Sequence, residues 1–224
     1  MVESEMNYKT EILYDLNIKN DLFAKLEVVG DLKVGKTSII NRLTKNSFSE
    51  EYRPTKGYDF STYLVKIEKT IIKFQIWDMC GEANYRSALM NLYRNAQVGV
   101  LVYSINDFET FKNLEEWITQ LKNNAPDSKI ILIGNKIDME ENREVSYEEG
   151  KELSEKHHLE LFFEISAKEE LESPNFMEEI ASVLYKDYLS HKDESGSIST
   201  LQENSESVRL DNTNLVKKRG CCNG

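Results

Sequence analysis

The chain has 224 residues, 40% of them hydrophobic, and its formal net charge at pH 7 is −11. This length allows one domain with a sizeable core and about fifty residues of extensions, while no apolar run approaches the ~20 residues of a membrane span. The acidic balance, without a basic stripe in the domain, argues against nucleic acid as a partner. The charged start does not resemble a secretory signal, so we expect synthesis in the cytosol.

Residues 1–22 are a predicted N-terminal extension that precedes the first strong strand signal. Their scattered apolar residues suffice for a short helix that docks on another surface. A mobile tail fits the same residues equally well, and the sequence does not decide between the two. The apolar residues are Ile12, Leu13, Tyr14, Leu16 and Ile18.

Residues 30–37 read Gly-Asp-Leu-Lys-Val-Gly-Lys-Thr, the spacing of a phosphate-binding loop. Glycines let successive backbone N–H groups point inward, and a following helix adds positive charge at its N-terminus. A buried strand is predicted over Leu26–Gly30 and a helix over Lys36–Thr44. Lys36 is expected to reach the β- and γ-phosphates, and the Thr37 hydroxyl to bind Mg²⁺. The predicted nucleotide-binding residues here are Gly30, Asp31, Leu32, Lys33, Val34, Gly35, Lys36, Thr37 and Ser38.

Two further segments are placed to sense the γ-phosphate. Tyr52 and Thr55 lie in a polar stretch after the first helix, where Thr55 can supply a second hydroxyl to Mg²⁺ when GTP is bound. A strand delivers Asp78 toward the metal's water shell and the Gly81 N–H toward the γ-phosphate. Loss of this phosphate is expected to release both segments.

A base-recognition pattern follows a buried strand predicted over Ile130–Asn135, where the chain reads Asn135-Lys136-Ile137-Asp138. The ionised Asp138 carboxylate can accept from both the ring N–H and the exocyclic amine of guanine, a pair of donors that adenine lacks. Lys136 can lay its methylene stem over the base, and Asn135 can meet the imidazole edge. This pattern predicts guanine as the base.

A second loop is predicted to complete the base site. The strand expected over Leu161–Ile165 ends in Ser166-Ala167-Lys168, which can offer a backbone N–H to the guanine carbonyl oxygen. Together with the loop after the preceding strand, these residues place the base site at the carboxyl ends of two parallel strands.

Strands and helices alternate along most of the chain, which predicts an α/β fold with a six-stranded, mostly parallel sheet and helices on both faces. The strands over Tyr58–Glu68 and Ile71–Trp77 are expected to form an antiparallel hairpin, because only two residues separate them. Glu27 is a charged residue in a predicted central strand, and the sequence offers no explanation for it. The remaining predicted elements are a strand over Val98–Ser104 and helices near Tyr85–Arg94 and over Phe108–Lys122, Tyr147–His157 and Asn175–Leu189.

Residues 191–224 differ in composition from the rest of the chain and are predicted to be a flexible tail. They are rich in Ser, Asn and acidic residues with almost no aromatic residues, so they cannot bury enough surface to fold alone. Cys221 and Cys222 stand near the end, behind Lys217-Lys218-Arg219. With Cys80 they are the three cysteines of the chain, a usage that fits a reducing compartment.

The region from Phe23 to Leu189 resembles a divergent member of the Rab family of small GTPases, in the Ras superfamily. Beyond the nucleotide motifs, residues 56–60 resemble the Rab stretch Ile-Gly-Val-Asp-Phe, residues 73–77 resemble Lys-Leu-Gln-Ile-Trp, and residues 92–96 resemble Tyr-Tyr-Arg-Gly-Ala. Residues 101–105 likewise resemble Leu-Val-Tyr-Asp-Ile. The resemblance implies a single P-loop GTPase domain over 23–190.

The resemblance also implies a function. The implied protein is a GTP/GDP switch in vesicle traffic. It would bind Mg²⁺ through Thr37, Thr55 and Asp78, and prenyl groups on Cys221 and Cys222 would anchor it to a membrane. Implied partners are an exchange factor, a GTPase-activating protein, effectors, an escort protein and a GDP dissociation inhibitor. The expected location is the cytoplasmic face of an intracellular membrane, with a cytosolic pool.

Two departures from the Rab pattern affect the expected catalytic residues, which are Lys36, Gly81 and Glu82. Glu82 stands where most Rab proteins have the Gln that orients the attacking water, and Leu32 stands where relatives have a small residue. Lys33 can pair with Glu82 or with phosphate and partly offset the added charge. Slow hydrolysis follows as an expectation.

Two alternative functions remain at this point. The first is a GTP-binding interaction module with little or no hydrolysis. The second is a P-loop metabolic kinase, which would leave the guanine pattern and the terminal cysteines without a role and has no visible domain for an acceptor substrate.

Overall fold

The computed structural model describes residues 8–82, 90–171 and 175–195. In these ranges the strands are β1 Thr10–Leu13, β2 Leu22–Val29, β3 Tyr58–Ile67, β4 Thr70–Met79, β5 Val98–Ser104, β6 Lys129–Asn135 and β7 Leu161–Ile165. The α-helices are α1 Lys36–Lys45, α2 Phe108–Lys112, α3 Leu114–Asn124, α4 Tyr147–His157 and α5 Phe176–Ser195, and 3₁₀ helices cover Met90–Tyr93 and Ile137–Asn142. None of the helices in these ranges has the length and apolarity that crossing a membrane requires.

The strands form one sheet in the order β1-β3-β4-β2-β5-β6-β7. The neighbours from β4 to β7 pair in parallel, and β3 is antiparallel to both β1 and β4. The predicted α/β class with a mostly parallel sheet is confirmed, although the sheet has one strand more than the six expected. The carboxyl ends of β2, β5 and β6 meet at one edge, where ligands bind in folds of this kind.

The additional strand comes from the N-terminal extension. Residues 10–13 pair with residues 64–67 of β3, so both alternatives left open by the sequence, a short helix and a mobile tail, are wrong for this stretch. Thr10 Oγ1 donates a hydrogen bond of 2.7 Å to Glu178 Oε1 of α5, and the Tyr8 ring meets the Tyr185 ring edge-on at 5.2 Å. Pairing with β3 satisfies the backbone groups of this segment that face β3. No local pattern in the sequence indicates this pairing.

Two apolar clusters cover the two faces of the sheet, because alternate residues of each strand point to opposite sides. Leu26 and Val28 of β2 join α1 and α5 in one cluster. Val29 joins Trp117 and Leu121 of α3 in the other. Helices on both faces are therefore confirmed.

The helix predicted over Phe108–Lys122 is divided into α2 and α3. Asn113 separates them with φ −73° and ψ −8°, and its side chain donates a 2.6 Å hydrogen bond to Asp31 Oδ2 of the glycine loop. The predicted helix near Tyr85–Arg94 lies partly in 83–89, outside the described residues, and Met90–Tyr93 form a 3₁₀ helix.

Candidate nucleotide-binding site

The glycine loop lies between β2 and α1, as its sequence predicts. Gly30 has φ +142°, and a Cβ there would lie 2.2 Å from the carbonyl oxygen of Val102 in β5. Lys36 is nearly buried and donates from Nζ to the carbonyl oxygens of Gly30, at 2.9 Å, and Asp31, at 2.7 Å. The ammonium group is thus held inside the concavity of the loop, where it can meet a phosphate chain.

The carboxylate of Asp31 anchors this loop to the helical layer. It accepts hydrogen bonds from Asn113 Nδ2, at 2.6 Å, and from Trp117 Nε1, at 2.9 Å. Trp117 is fully buried in the core. A side chain of α3 with no predicted role beyond the core therefore positions the phosphate loop.

The three predicted metal ligands come together although they are far apart in the chain. Thr37 Oγ1 donates a 2.5 Å hydrogen bond to Asp78 Oδ2, and Thr55 Oγ1 lies 3.0 Å from Thr37 Oγ1 and 3.3 Å from Asp78 Oδ2. Burial raises the pKa of Asp78, and the two threonine hydroxyls and Lys36 partly offset the effect. Asp78 Oδ1 is buried and lacks a hydrogen-bond partner among the described residues. Two hydroxyls and an unsatisfied carboxylate oxygen fit a hard cation such as Mg²⁺.

Gly81 closes the phosphate end of the site. A Cβ at this position would lie 2.6 Å from Lys36 Nζ and 2.6 Å from the Asp31 carbonyl, so only glycine fits so close to the loop. Glu82 follows directly and is partly buried. Leu32 is 39% exposed on the glycine loop.

The base end of the site is built from two loops that hydrogen-bond to each other. Asp138 Oδ1 accepts a 2.6 Å hydrogen bond from Ser166 Oγ, which also accepts from the Lys168 N–H at 3.1 Å. Asn135 is buried, donates to the Val34 carbonyl at 2.8 Å and accepts from the Ala167 N–H at 3.1 Å. Its amide therefore joins the phosphate loop to both base loops.

A cavity of about 820 Å³ connects the two ends. The predicted residues Gly30, Asp31, Val34, Asp78, Glu82 and Ser166 do not line it, and several of them support the residues that do. The predicted residues that line it are Leu32, Lys33, Gly35, Lys36, Thr37, Ser38, Tyr52, Thr55, Gly81, Asn135, Lys136, Asp138, Ala167 and Lys168.

Sequence reasoning missed several residues of the site, of which Phe48 and Arg42 are two. Phe48 also lines the cavity and is 36% exposed; like Tyr52, it is an aromatic residue in the polar loop after the first helix. Arg42 of α1 donates from Nε to the Ala167 carbonyl, at 3.1 Å, and from a terminal nitrogen to the Lys168 carbonyl, at 2.7 Å. Arg42 thus holds the last base loop against the helix that follows the phosphate loop.

The charge of Glu27 is explained by its neighbour on the same face of β2. Lys25 Nζ lies 2.9 Å from Glu27 Oε1 and donates to the carbonyl oxygens of Leu92 and Arg94. The same ammonium group lies 5.0 Å from the ring centroid of Trp77. Glu27 is fully buried, and burial raises its pKa to about 7 although Lys25 opposes the change.

A glycine loop between a buried strand and a helix, opening on a cleft at the carboxyl ends of parallel strands, defines a P-loop nucleotide-binding protein. The model of the Ras family matches residues 25–186 of the chain. Ras-related protein Rab-11A of Dictyostelium discoideum is 38% identical, over 90% of this chain and 95% of that protein. Rab-11B of the same organism is 42% identical, over 67% of this chain and 68% of that protein. RABA1g of Arabidopsis thaliana is 34% identical, over 90% of this chain and 94% of that protein.

The chain belongs to the Rab family of small GTPases, within the Ras superfamily. Proteins of this family bind GTP and GDP, generally with Mg²⁺, and act as switches in vesicle trafficking. The expected resemblance is therefore confirmed.

Proposed function

We propose that this protein is a membrane-anchored GTP/GDP switch of vesicle traffic that hydrolyses GTP slowly. The observation that carries the proposal is the convergence of separate sequence segments on one cavity, with Thr37, Thr55 and Asp78 in mutual contact. Thr55 belongs to the first switch segment and Asp78 to the start of the second. A site that recruits a ligand from each segment can respond to the presence of one phosphate.

Thr37, Thr55 and Asp78 would hold Mg²⁺, which when bound neutralises charge on the β- and γ-phosphates. Lys36 adds a second positive charge from inside the glycine loop. The Gly81 N–H is available to the γ-phosphate because this residue lies against the loop. Asp138, oriented by Ser166, selects guanine.

The alternative is a GTP-binding module that barely hydrolyses its nucleotide, and the residues at positions 32 and 82 favour it. An ionised Glu82 can accept a hydrogen bond from water but cannot donate one to the γ-phosphate, and its charge adds to an anionic site. Leu32 projects from the glycine loop and can obstruct an arginine supplied by an activating protein. Single-turnover hydrolysis of bound GTP by the purified protein distinguishes the switch from the module.

We expect intrinsic hydrolysis at or below ~10⁻⁴ per second, the range of unassisted relatives. Glu82→Gln should raise the rate, because the amide can both orient water and donate to phosphate, and adding Leu32→Ser should raise it further. Phosphate release from preloaded GTP in a single turnover measures both changes.

Glu51→Gln is the matched control, because Glu51 is an exposed carboxylate on the cavity rim that pairs with Arg53 at 2.8 Å. It should leave the hydrolysis rate unaltered. Fast hydrolysis in the unmodified protein, or no response to Glu82→Gln and the double variant, would contradict these roles.

Prenylation is proposed for Cys221 and Cys222, which lie outside the described residues. Two lipid chains beside the basic residues 217–219 anchor stably where one chain does not. Replacing both cysteines with Ser should move the protein from membranes to the cytosol, and replacing one should leave a weaker association. Intact mass spectrometry of protein from its native cell should show two prenyl groups, and an unmodified terminus there would refute the proposal.

The proposal includes the partners that such a switch requires. These are an exchange factor, a GTPase-activating protein, effectors, an escort protein for prenylation and a GDP dissociation inhibitor that maintains a cytosolic pool. We place the anchored form on the cytoplasmic face of an intracellular membrane, with 1–22 as an N-terminal extension, 23–190 as the GTPase domain and 191–224 as the tail.

A further inference from the structure

A contact between the glycine loop and the first switch segment crosses the mouth of the nucleotide cavity. Lys33 Nζ lies 5.7 Å from the centroid of the Tyr52 ring. Both residues line the cavity, and Tyr52 is 50% exposed. A cation over an aromatic face at this distance is attracted by the ring quadrupole.

Lys33 occupies a backbone position that favours glycine. Its φ is +63°, in the left-handed region that side chains other than those of Asn and Asp seldom adopt. The lysine is exposed, so no core contact accounts for a long side chain here. The contact that the structure gives its ammonium group is the one with Tyr52.

The two residues interact electrostatically with groups at both ends of the cleft. Burial is the main cause that raises the pKa of Tyr52, and Cys80 and Glu82 of the second switch segment add to it. Burial also lowers the pKa of Lys136 at the base end, and the positive charge of Lys33 contributes. Both residues line the same cavity as Lys136 at its base end and Gly81 at its phosphate end.

Tyr52 is coupled to the metal site through a short segment of chain. Thr55 follows it by three residues, and Pro54 between them fixes its own φ and restricts the residue before it. Thr55 Oγ1 lies 3.0 Å from Thr37 Oγ1 in this conformation. Holding the Tyr52 ring therefore restrains Thr55 at the metal site.

Two charged pairs also involve this segment. Arg53 and Glu51 pair at 2.8 Å within the segment itself, so they do not tie it to the rest of the protein. Glu50 pairs with Lys168 at 3.3 Å, with side chains 81% and 53% exposed, so this pair ties the segment to the last base loop and not to the glycine loop.

We propose that Lys33 is a positioning residue that holds the first switch segment closed through Tyr52 and so prolongs the retention of nucleoside triphosphate more than that of diphosphate. The inference rests on the proposed function and assigns to Lys33 a role in nucleotide retention at the same site. The difference between the nucleotides arises because Thr55 is needed at the metal site only when the γ-phosphate is present. A contact that favours the closed segment stabilises only the ligand that uses it.

Dissociation of a fluorescent non-hydrolysable GTP analogue and of fluorescent GDP from the full-length protein, with Mg²⁺ present, tests the proposal. Lys33→Met should accelerate release of the triphosphate by about threefold, the scale of an exposed cation–π contact, and release of GDP by less. Tyr52→Leu should have the same effect, and the double variant should be no faster than either. Lys33→Arg should restore slow release.

Lys45→Met is the matched control, because Lys45 is exposed on α1 and bonds only locally, to Asn41 at 3.0 Å. It should not alter either rate. Equal acceleration of both nucleotides by Lys33→Met would assign Lys33 to general phosphate attraction and overturn the proposal, as would unaltered rates. If the unmodified protein bound no guanine nucleotide, the proposed function would fail as well, so the two failures are distinguishable.

Discussion

Asp138→Asn should change the base preference of the site from guanine toward xanthine. Asn keeps one acceptor oxygen for the ring N–H but replaces the other oxygen with an NH₂ donor. Guanine therefore loses the bond from its exocyclic amine, whereas xanthine, with an oxygen in place of that amine, gains one. We expect the ratio of the two affinities to change by on the order of 10²- to 10⁴-fold. Competition of GTP, XTP and ATP against a labelled nucleotide measures the ratio.

Ser166→Ala is the companion variant, because it removes the 2.6 Å hydrogen bond that orients Asp138 and leaves the carboxylate in place. Guanine affinity should fall by about tenfold, the worth of one such bond, while guanine remains preferred. Equal competition by ATP and GTP in the unmodified protein would contradict the assignment of Asp138.

Glu27→Gln should stabilise the protein strongly at pH 8 and much less near pH 5. The carboxyl group has a pKa of about 7 in the folded protein against an ordinary value of 4.5, so the native state holds its proton more tightly. Its contribution to stability is therefore present below about pH 4.5 and is lost as the pH rises through about 7. The full loss amounts to about 3 kcal/mol.

Urea unfolding of both proteins between pH 5 and pH 8, with saturating GDP and Mg²⁺, measures the difference in free energy. Glu11→Gln is the control, because Glu11 is 57% exposed and pairs with Lys66 at 3.1 Å on the surface. That variant should lie within about 0.5 kcal/mol of the unmodified protein at every pH. A Glu27→Gln protein that is less stable at pH 8 would mean that the pairing with Lys25 outweighs the cost of burial.

The features that the sequence predicts best are those that a short segment specifies by itself. The glycine loop, the Asn-Lys-x-Asp pattern and the Ser-Ala-Lys loop each follow a buried strand, and parallel strands bring their carboxyl ends to one edge. This explains why Thr37 and Asp78, 41 residues apart, could be predicted to lie together, and Thr37 Oγ1 lies 2.5 Å from Asp78 Oδ2.

The contacts that sequence reasoning missed join distant segments without a local signal. The bond from Trp117 to Asp31 spans 86 residues, and Trp117 has the spacing of an ordinary core residue on its helix. Strand β1 has only four residues and pairs with an edge more than fifty residues away. Neither a helical period nor a turn pattern can indicate such a partner.

Glu27 is an intermediate case, because a usable signal was present. Residues two apart on a strand point to the same face, so Lys25 could have been identified as its partner from the strand prediction alone. The burial of the pair and the position of Trp77 beneath the ammonium group depend on the packing of three segments. Both features depend on the tertiary fold and could not be inferred from the spacing of residues in the sequence.

Strand β1 has a consequence for how this sheet can meet other chains. An unpaired edge offers backbone donors and acceptors to any extended peptide, and β1 occupies those of β3 at residues 64–67. The four-residue β1 is itself a poor template, because short edge strands offer few bonds to an added strand. On this side, β1 leaves residues 58–63 of β3, the half that adjoins the first switch segment, as the longer stretch of strand edge.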